Sequence, residues 1–374
     1  MSLSRFSPLL VACAAGLCAT LPLLMGDALR GQALFRSQGC VACHSLNGEG
    51  GKTAPDLGLR GGRGFSPAAM AALMWNHGPR MWAAIAKQGI ARPEFGEQQA
   101  ADLFAYFYAA RYFEPPGNAR RGADLFTEKR CAACHKGPAP GPGGARPVAR
   151  WQSIGDPIAL AEHLWNHSAQ MRQAMAQKKV PYPELTAEDL TDLVAYVRRL
   201  QRATGGLRQP EAGSAEAGEK LFTAKRCAAC HTGDFDLRTR RTRFSLTDFA
   251  ASLWNHAPGM PGNRPPLSYD EMRHIVAYLG ALQYFEEYGN IDRGQEVFQR
   301  KRCAACHGDP DSGAPDLKDK AGRISSYEMV AAVWKHGPAM MEAMLRRKIA
   351  WPELAAAEMG DLVAFLHGPR LKRR

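Results

Sequence analysis

The stretch that decides the reading is Gly31-Gln32-Ala33-Leu34-Phe35-Arg36-Ser37-Gln38-Gly39-Cys40-Val41-Ala42-Cys43-His44. Its end, Cys-x-x-Cys-His, returns as Cys131/Cys134/His135, Cys227/Cys230/His231 and Cys303/Cys306/His307. Its beginning returns too. A glycine stands nine residues before the first cysteine of every copy (Gly31, Gly122, Gly218, Gly294), with a phenylalanine four residues after it (Phe35, Phe126, Phe222, Phe298). That step puts both on one helix face. Four residues before each glycine lies Asp27, Asn118, Ser214 or Asn290, all preferred N-caps, so each copy is expected to open with a capped helix.

The spacing of the motif has a chemical reason. On one helical turn, two thiols three residues apart can each add to one vinyl group of a haem, while the next residue aims an imidazole at the iron. A lone copy would also suit a zinc half-site or a thiol redox pair. Four copies in matched surroundings do not, and a tetrahedral zinc site needs ligands from separated segments, which an adjacent histidine resists. The expectation is therefore four covalently bound haem c groups, attached through Cys40, Cys43, Cys131, Cys134, Cys227, Cys230, Cys303 and Cys306, with His44, His135, His231 and His307 on the iron. The two remaining cysteines, Cys13 and Cys18, lie in the apolar N-terminus and leave no disulfide framework.

The 374 residues would make two or three ordinary domains, or four small ones if cofactors complete each core; four haems decide for four. Residues 6–25 form an apolar stretch after Arg5, rich in small residues and holding Pro8 and Pro22. It reads as an export signal, and its length also suits a membrane anchor. Cleavage near Gly26, or none, keeps Asp27 as the first cap. Leu10-Val11-Ala12-Cys13 resembles a lipoprotein box, but only about six apolar residues precede it. No other segment could span a bilayer, so the rest is expected to be periplasmic, released or anchored to the inner membrane. The formal charge of +12 points to acidic partners or surfaces, although four haems would bring up to about eight propionate charges against it. Basic residues are dispersed apart from Arg238, Arg240, Arg241, Arg243 and the tail Lys372-Arg373-Arg374, which gives no nucleic-acid footprint.

Downstream, each copy carries Trp-x-His-x-x-x-Met: Trp75/His77/Met81, Trp165/His167/Met171, Trp254/His256/Met260 and Trp334/His336/Met340. A closing apolar segment of helical period follows, with an aromatic at Tyr106, Tyr196, Tyr278 or Phe365. Tryptophan and aromatic are 31 residues apart in three copies and 24 in the third, which predicts that the third lacks about two helical turns after its methionine. Breaker-rich connections such as Glu114-Pro115-Pro116-Gly117 and Ala203-Thr204-Gly205-Gly206 separate the copies, and no strand pattern competes. The expected fold is all-α, with a signal or anchor at 1–26 and units at 27–116, 117–206, 212–287 and 288–370.

Everything after residue 26 resembles the class I cytochrome c domain, four times in tandem. The resemblance implies that the first and last helices cross through the glycine and aromatic positions, that the motif histidine is the proximal ligand, and that a loop methionine is the distal one. It also implies a proline after the motif whose carbonyl orients the proximal histidine. Pro55 and Pro315 match that role; the second unit offers Pro138, Pro140, Pro142 or Pro147, and the third has none. For the distal ligand, Met81, Met171, Met260 and Met340 are favoured over His77, His167, His256 and His336. Pro79, Pro258 and Pro338 stand two residues after the histidine and should end the helix there, releasing the methionine into a loop. Histidine and tryptophan would then serve as donors to propionates. His163, His274 and His367 have no counterparts and read as surface or satisfied histidines, and Trp82 and Trp351 as packing residues.

A carrier needs iron closed by two ligands, whereas an enzyme needs an open position with acid–base groups beside it. Every unit offers two ligands. The favoured function is a tetrahaem electron-transfer protein, a periplasmic conduit or a subunit of a respiratory complex, with other cytochromes or a membrane oxidoreductase as partners. The alternative is a multihaem oxidoreductase acting on a small sulfur or nitrogen compound at a specialised third haem.

Overall fold

The computed structural model describes residues 24–58, 65–110, 117–151, 157–200, 211–237, 246–260, 264–282, 289–317 and 324–368. Residues 1–23 of the stretch expected to be a signal or anchor, with Cys13 and Cys18, the arginine cluster at 238–243, the tail, residues 114–116 and 203–206 of the connections, and Pro261 and Gly262 lie outside them. The first repeat contains α1 (Ala28–Ser37), α2 (Pro67–Gln88) and α3 (Glu97–Ala110). The second contains α4 (Ala119–Glu128), the short α5 (Ala132–His135), α6 (Pro157–Gln177) and α7 (Ala187–Leu200). The third contains α8 (Ala215–Ala224), α9 (Leu246–His256) and α10 (Tyr269–Ala281), and the fourth α11 (Ile291–Arg300), the short α12 (Ala304–His307), α13 (Ser326–Arg346) and α14 (Ala356–His367). The strands described are a two-residue antiparallel pair, β1 (Ser45–Leu46) and β2 (Glu49–Gly50), that closes the loop after the first motif. No helix among the described residues is long and apolar enough to cross a membrane.

Each first helix starts at the expected cap. The side chains of Asp27, Asn118, Ser214 and Asn290 accept backbone N–H groups of the first turn, which would otherwise have no intrahelical partner. First and last helices then cross at the glycine. A Cβ on Gly31, Gly122, Gly218 or Gly294 would overlap the backbone carbonyl of Asp102, Asp192, His274 or Asp361, with the Cβ of Tyr106, Tyr196, Tyr278 or Phe365 close behind. The phenylalanine one turn on meets that same aromatic ring, with centroids 5.8 Å apart in the first repeat and 5.5 Å in the others.

The crossing is locked at the cap as well. Asp102, Asp192 and Asp361 accept the backbone N–H of Asp27, Asn118 and Asn290 and pair with Arg30, Arg121 and Arg293. In the third repeat His274 takes this place and its Nδ1 accepts the Ser214 N–H at 2.9 Å. His274 is thus the positional counterpart of three aspartates, which corrects its reading as a histidine without counterparts.

The second helices join the repeats. The indole N–H of Trp75 donates to Pro352 O, and that of Trp334 returns the bond to Pro93 O, both at 2.6 Å. Trp165 and Trp254 make the same exchange with Pro265 O and Pro183 O, at 2.9 and 2.7 Å. The asparagine after the tryptophan adds a two-point bond to the backbone of the residue two past that proline: Asn76 with Leu354, Asn166 with Leu267, Asn255 with Leu185. In the fourth repeat Lys335 replaces the asparagine and is exposed, while Phe95 stacks on Trp334 at 5.7 Å. One apolar core therefore spans the first and fourth repeats and another the second and third.

The two pairs meet through the helix starts of the first and third repeats. Ser214 Oγ donates to the buried Asp27 carboxylate at 2.7 Å, and Leu29 N–H to Gly213 O at 3.2 Å. In space the repeats run second, third, first, fourth.

Two outcomes follow from this packing. Gly294→Ala forces backbone apart at a crossing with no flexible side chain to yield, and should lower stability by about 2 kcal/mol in denaturant titrations; a loss below about 0.5 kcal/mol would contradict the crossing. Burial and the adjacent Arg273 depress the pKa of His274 below its ordinary 6.5, against the opposing pull of Asp270 and Asp27. Only the neutral ring accepts the Ser214 N–H, so its contribution is full above about pH 6.5 and falls as pH drops through that value towards the lower folded pKa. The denaturation midpoint should fall more between about pH 7.5 and 5.5 in the wild type than in His274→Asn, whose amide oxygen accepts at both.

Candidate functional site

Each motif sits just after a first helix, beyond a residue in the left-handed region: Gly39, Arg130, Arg226 and Arg302, with φ from 62° to 75°. This turn ends the helix and redirects the chain. The motif itself is one helical turn. The N–H of His44, His135, His231 and His307 donates to the carbonyl of the first cysteine at 3.0 to 3.1 Å, so both thiols and the imidazole leave one short surface.

All four motif histidines are oriented by a carbonyl. Nδ1 donates to Pro55 O (2.9 Å), Arg146 O (2.8 Å), Phe235 O (3.3 Å) and Pro315 O (3.0 Å). A carbonyl only accepts, so Nδ1 carries the proton and Nε2 keeps the lone pair an iron requires. Pro55 and Pro315 act as expected. In the second repeat the acceptor is Arg146, the residue before Pro147, and it also takes the indole N–H of Trp151, whose ring lies edge-on to His135 at 5.0 Å. The third repeat keeps the bond without a proline, through the 3₁₀ turn Gly233–Phe235.

The first thiol of each motif is not activated for redox exchange. Burial pushes Cys40, Cys131 and Cys303 up to about 11 and also raises Cys227, the reverse of the activated thiolate that disulfide chemistry needs. Among the described residues no three of His, Cys, Asp and Glu gather as a bare metal site would require. A carbonyl-held imidazole beside two thiols on one turn fits a covalently held haem.

The second helices depart from expectation. Pro79 and Pro338 do not end α2 and α13, which run on past Met81 and Met340, and α6 likewise passes Met171. Proline deprives the carbonyl four residues back of its intrahelical donor. For Pro79 that carbonyl belongs to Trp75, and the Trp351 indole N–H donates to it at 3.1 Å while stacking on the Trp75 ring at 4.3 Å. Trp351 is thus a bonding partner as well as a packing residue. Tyr182 does the same across the other pair, stacking on Trp254 at 4.4 Å and donating to its carbonyl at 3.2 Å. Only α9 stops at its histidine, so the residues absent from the third repeat are the second half of this helix. The tryptophan indoles are engaged by the neighbouring repeat, which replaces their expected role as propionate donors.

Two of the histidines on these helices lie near the motif of their own repeat. His256 faces His231 with ring centres 6.3 Å apart and planes at 57°. In the second repeat, burial first and the nearby His135 next hold His167 below its ordinary pKa. Met81 and Met340 pack against the core of the first and fourth repeats, Met171 and Met260 against that of the second and third.

The exchange of tryptophan and asparagine bonds with a neighbouring repeat's loop, a clasp between repeats, also has a signal in the sequence. Arg92-Pro93-Glu94-Phe95, Tyr182-Pro183-Glu184-Leu185, Arg264-Pro265-Pro266-Leu267 and Trp351-Pro352-Glu353-Leu354 recur before each last helix. In the second pair Arg264 lies over the Trp165 ring at 5.1 Å.

Two family models match the chain. The model described as Cytochrome c matches residues 28–108 and 119–201, and the one described as Cytochrome C oxidase, cbb3-type, subunit III matches 213–279 and 289–366. No match was found among curated proteins or solved structures. With the geometry of the motifs, these matches identify the chain as a multihaem c-type cytochrome, whose haem is covalently bound and whose work is haem-based electron transfer.

Asn255→Ala removes both bonds to Leu185 and leaves that buried backbone unpaired, which should cost about 1–3 kcal/mol. Lys335→Ala, at the position without such bonds, should change stability by less than about 0.5 kcal/mol in the same urea titration.

Proposed function

We propose that the chain is a tetrahaem electron conduit of the periplasm, with units at 27–116, 117–206, 212–287 and 288–370, each holding one haem c. The observation that carries this reading is the row of repeats, second–third–first–fourth, in which each neighbour is hydrogen-bonded to the next: indole to proline carbonyl within the two pairs, and Ser214 to Asp27 between them. The haem supplies a one-electron iron couple. The chain's residues would keep that couple in place: the paired cysteines would fix the group through two thioethers, a carbonyl fixes the imidazole, the tryptophan exchange joins first to fourth and second to third, and Ser214 with Asp27 joins the pairs. Fixed spacing suits transfer between fixed centres.

The apolar stretch at residues 6–25, read as an export signal or anchor, supports a location outside the cytoplasm, attached to the inner membrane or released. The match of the last two units to an oxidase subunit III model supports a membrane oxidoreductase, or another cytochrome, as a redox partner. The case for a specialised third haem rested on a missing proline and a shortened loop. His231 nevertheless has its carbonyl partner, and the shortening falls in a helix that still presents His256.

The row makes a discriminating test. Cys131→Ser/Cys134→Ser removes an end member, and the other three units should still equilibrate rapidly with one another after a reductive flash. Cys227→Ser/Cys230→Ser should isolate the second unit from the first and fourth. Isolation of the first unit by the second-unit variant would mean that electrons follow chain order and would sink the row. Intact mass after acid–acetone treatment should retain four haems, and carbon monoxide should leave the ferrous spectrum of the wild type unchanged.

A further inference from the structure

We infer that the second axial ligand in each repeat is the histidine two residues after the tryptophan, His77, His167, His256 and His336, and that the four methionines are packing residues. The inference rests on the haem reading above.

Its first support is the third repeat. An imidazole nitrogen binds a metal at about 2.0 Å and the ring centre lies roughly 1.1 Å behind it, so two imidazoles on opposite sides of one iron have centres roughly 6 Å apart. His231 and His256 stand at 6.3 Å. His231 keeps Nε2 available because its Nδ1 donates to Phe235 O.

The second support is rotational and covers all four repeats. Each tryptophan is fixed by its bond to a proline carbonyl of the neighbouring repeat, which sets the roll of its helix. A residue two positions on is turned by about 200°, so the histidine points away from that neighbour. In the third repeat that direction leads to the motif of the same unit, and the shared anchor carries it to the others.

The methionines have another occupation. In the first, second and fourth repeats they sit on an unbroken helix one turn beyond the histidine, so no loop brings the sulfur forward. All four pack against a core shared between two repeats. Packing against these clusters gives a methionine at that offset an occupation that does not need its sulfur on iron.

The test uses the full-length holoprotein, with four retained haems confirmed by mass for every variant. The ferric wild type should lack the weak sulfur-to-iron band at the red end of the spectrum and show the near-infrared signature of paired imidazoles. Met260→Ala should leave spectrum and potentials unchanged. His256→Ala should open one iron to carbon monoxide, and His256→Met should raise the potential of one haem, since sulfur favours the ferrous state. A sulfur band lost in Met260→Ala, with iron still closed in His256→Ala, would overturn the inference while leaving a closed-iron carrier intact. Carbon monoxide binding by the wild type would instead count against the carrier reading. Should His256→Ala fail to accumulate, the wild-type spectrum and Met260→Ala decide the question alone.

Discussion

The exchange of indole N–H for proline carbonyl between repeats is the constraint on which the arrangement turns. Each bond is worth only about 1 kcal/mol by itself. Its effect is geometric: it fixes the roll of the second helix, and in the third repeat the face one half-turn away meets the unit's own motif, His256 against His231. Because the exchange is reciprocal, each repeat supplies both the donor helix and the acceptor loop. The proline inside α2 belongs to the same device. The carbonyl it leaves without a helical donor becomes the acceptor for Trp351, turning a backbone defect into a contact between units.

Units of fewer than a hundred residues bury modest cores, and here the chain compensates in two ways. It shares apolar surface between repeats, so that Trp75, Trp82, Trp334 and Trp351 lie in one cluster and Trp165 and Trp254 in another. It also closes each unit with a helix crossing that admits no side chain at the contact. Gly31, Gly122, Gly218 and Gly294 let backbone meet backbone, and the tilted Phe and Tyr or Phe rings fill the space beside the contact.

What the sequence disclosed was local and repeated four times: the capped helix, the glycine crossing, the motif turn and the orienting carbonyl at Pro55 and Pro315. Each is set by a few residues close in the chain or by one position on a helix face. What it concealed was contact between repeats. Trp-Asn and Pro-x-Leu are separated by 277 positions between Trp75 and Pro352, and nothing local in either says that they meet. The helix-breaking reading of Pro79 failed for the same reason, since the donor that tolerates it, Trp351, comes from the far end of the chain. His274 is satisfied, as its reading allowed, but its role is positional: it stands where the other repeats have aspartate, and residue chemistry alone does not disclose that.

The order of the repeats in space differs from their order in the chain, and this has a consequence for biogenesis. A chain emerging from its N-terminus completes the first unit early, yet the partner of that unit's apolar seam is the last to be made. The second and third units can close upon each other as soon as both exist. The first must wait with Trp75 and Trp82 uncovered until the fourth arrives, a long loop closure that slows assembly. During that interval the seam is open to proteases and to other nascent chains, so the final folding step is also the one most in need of a chaperone.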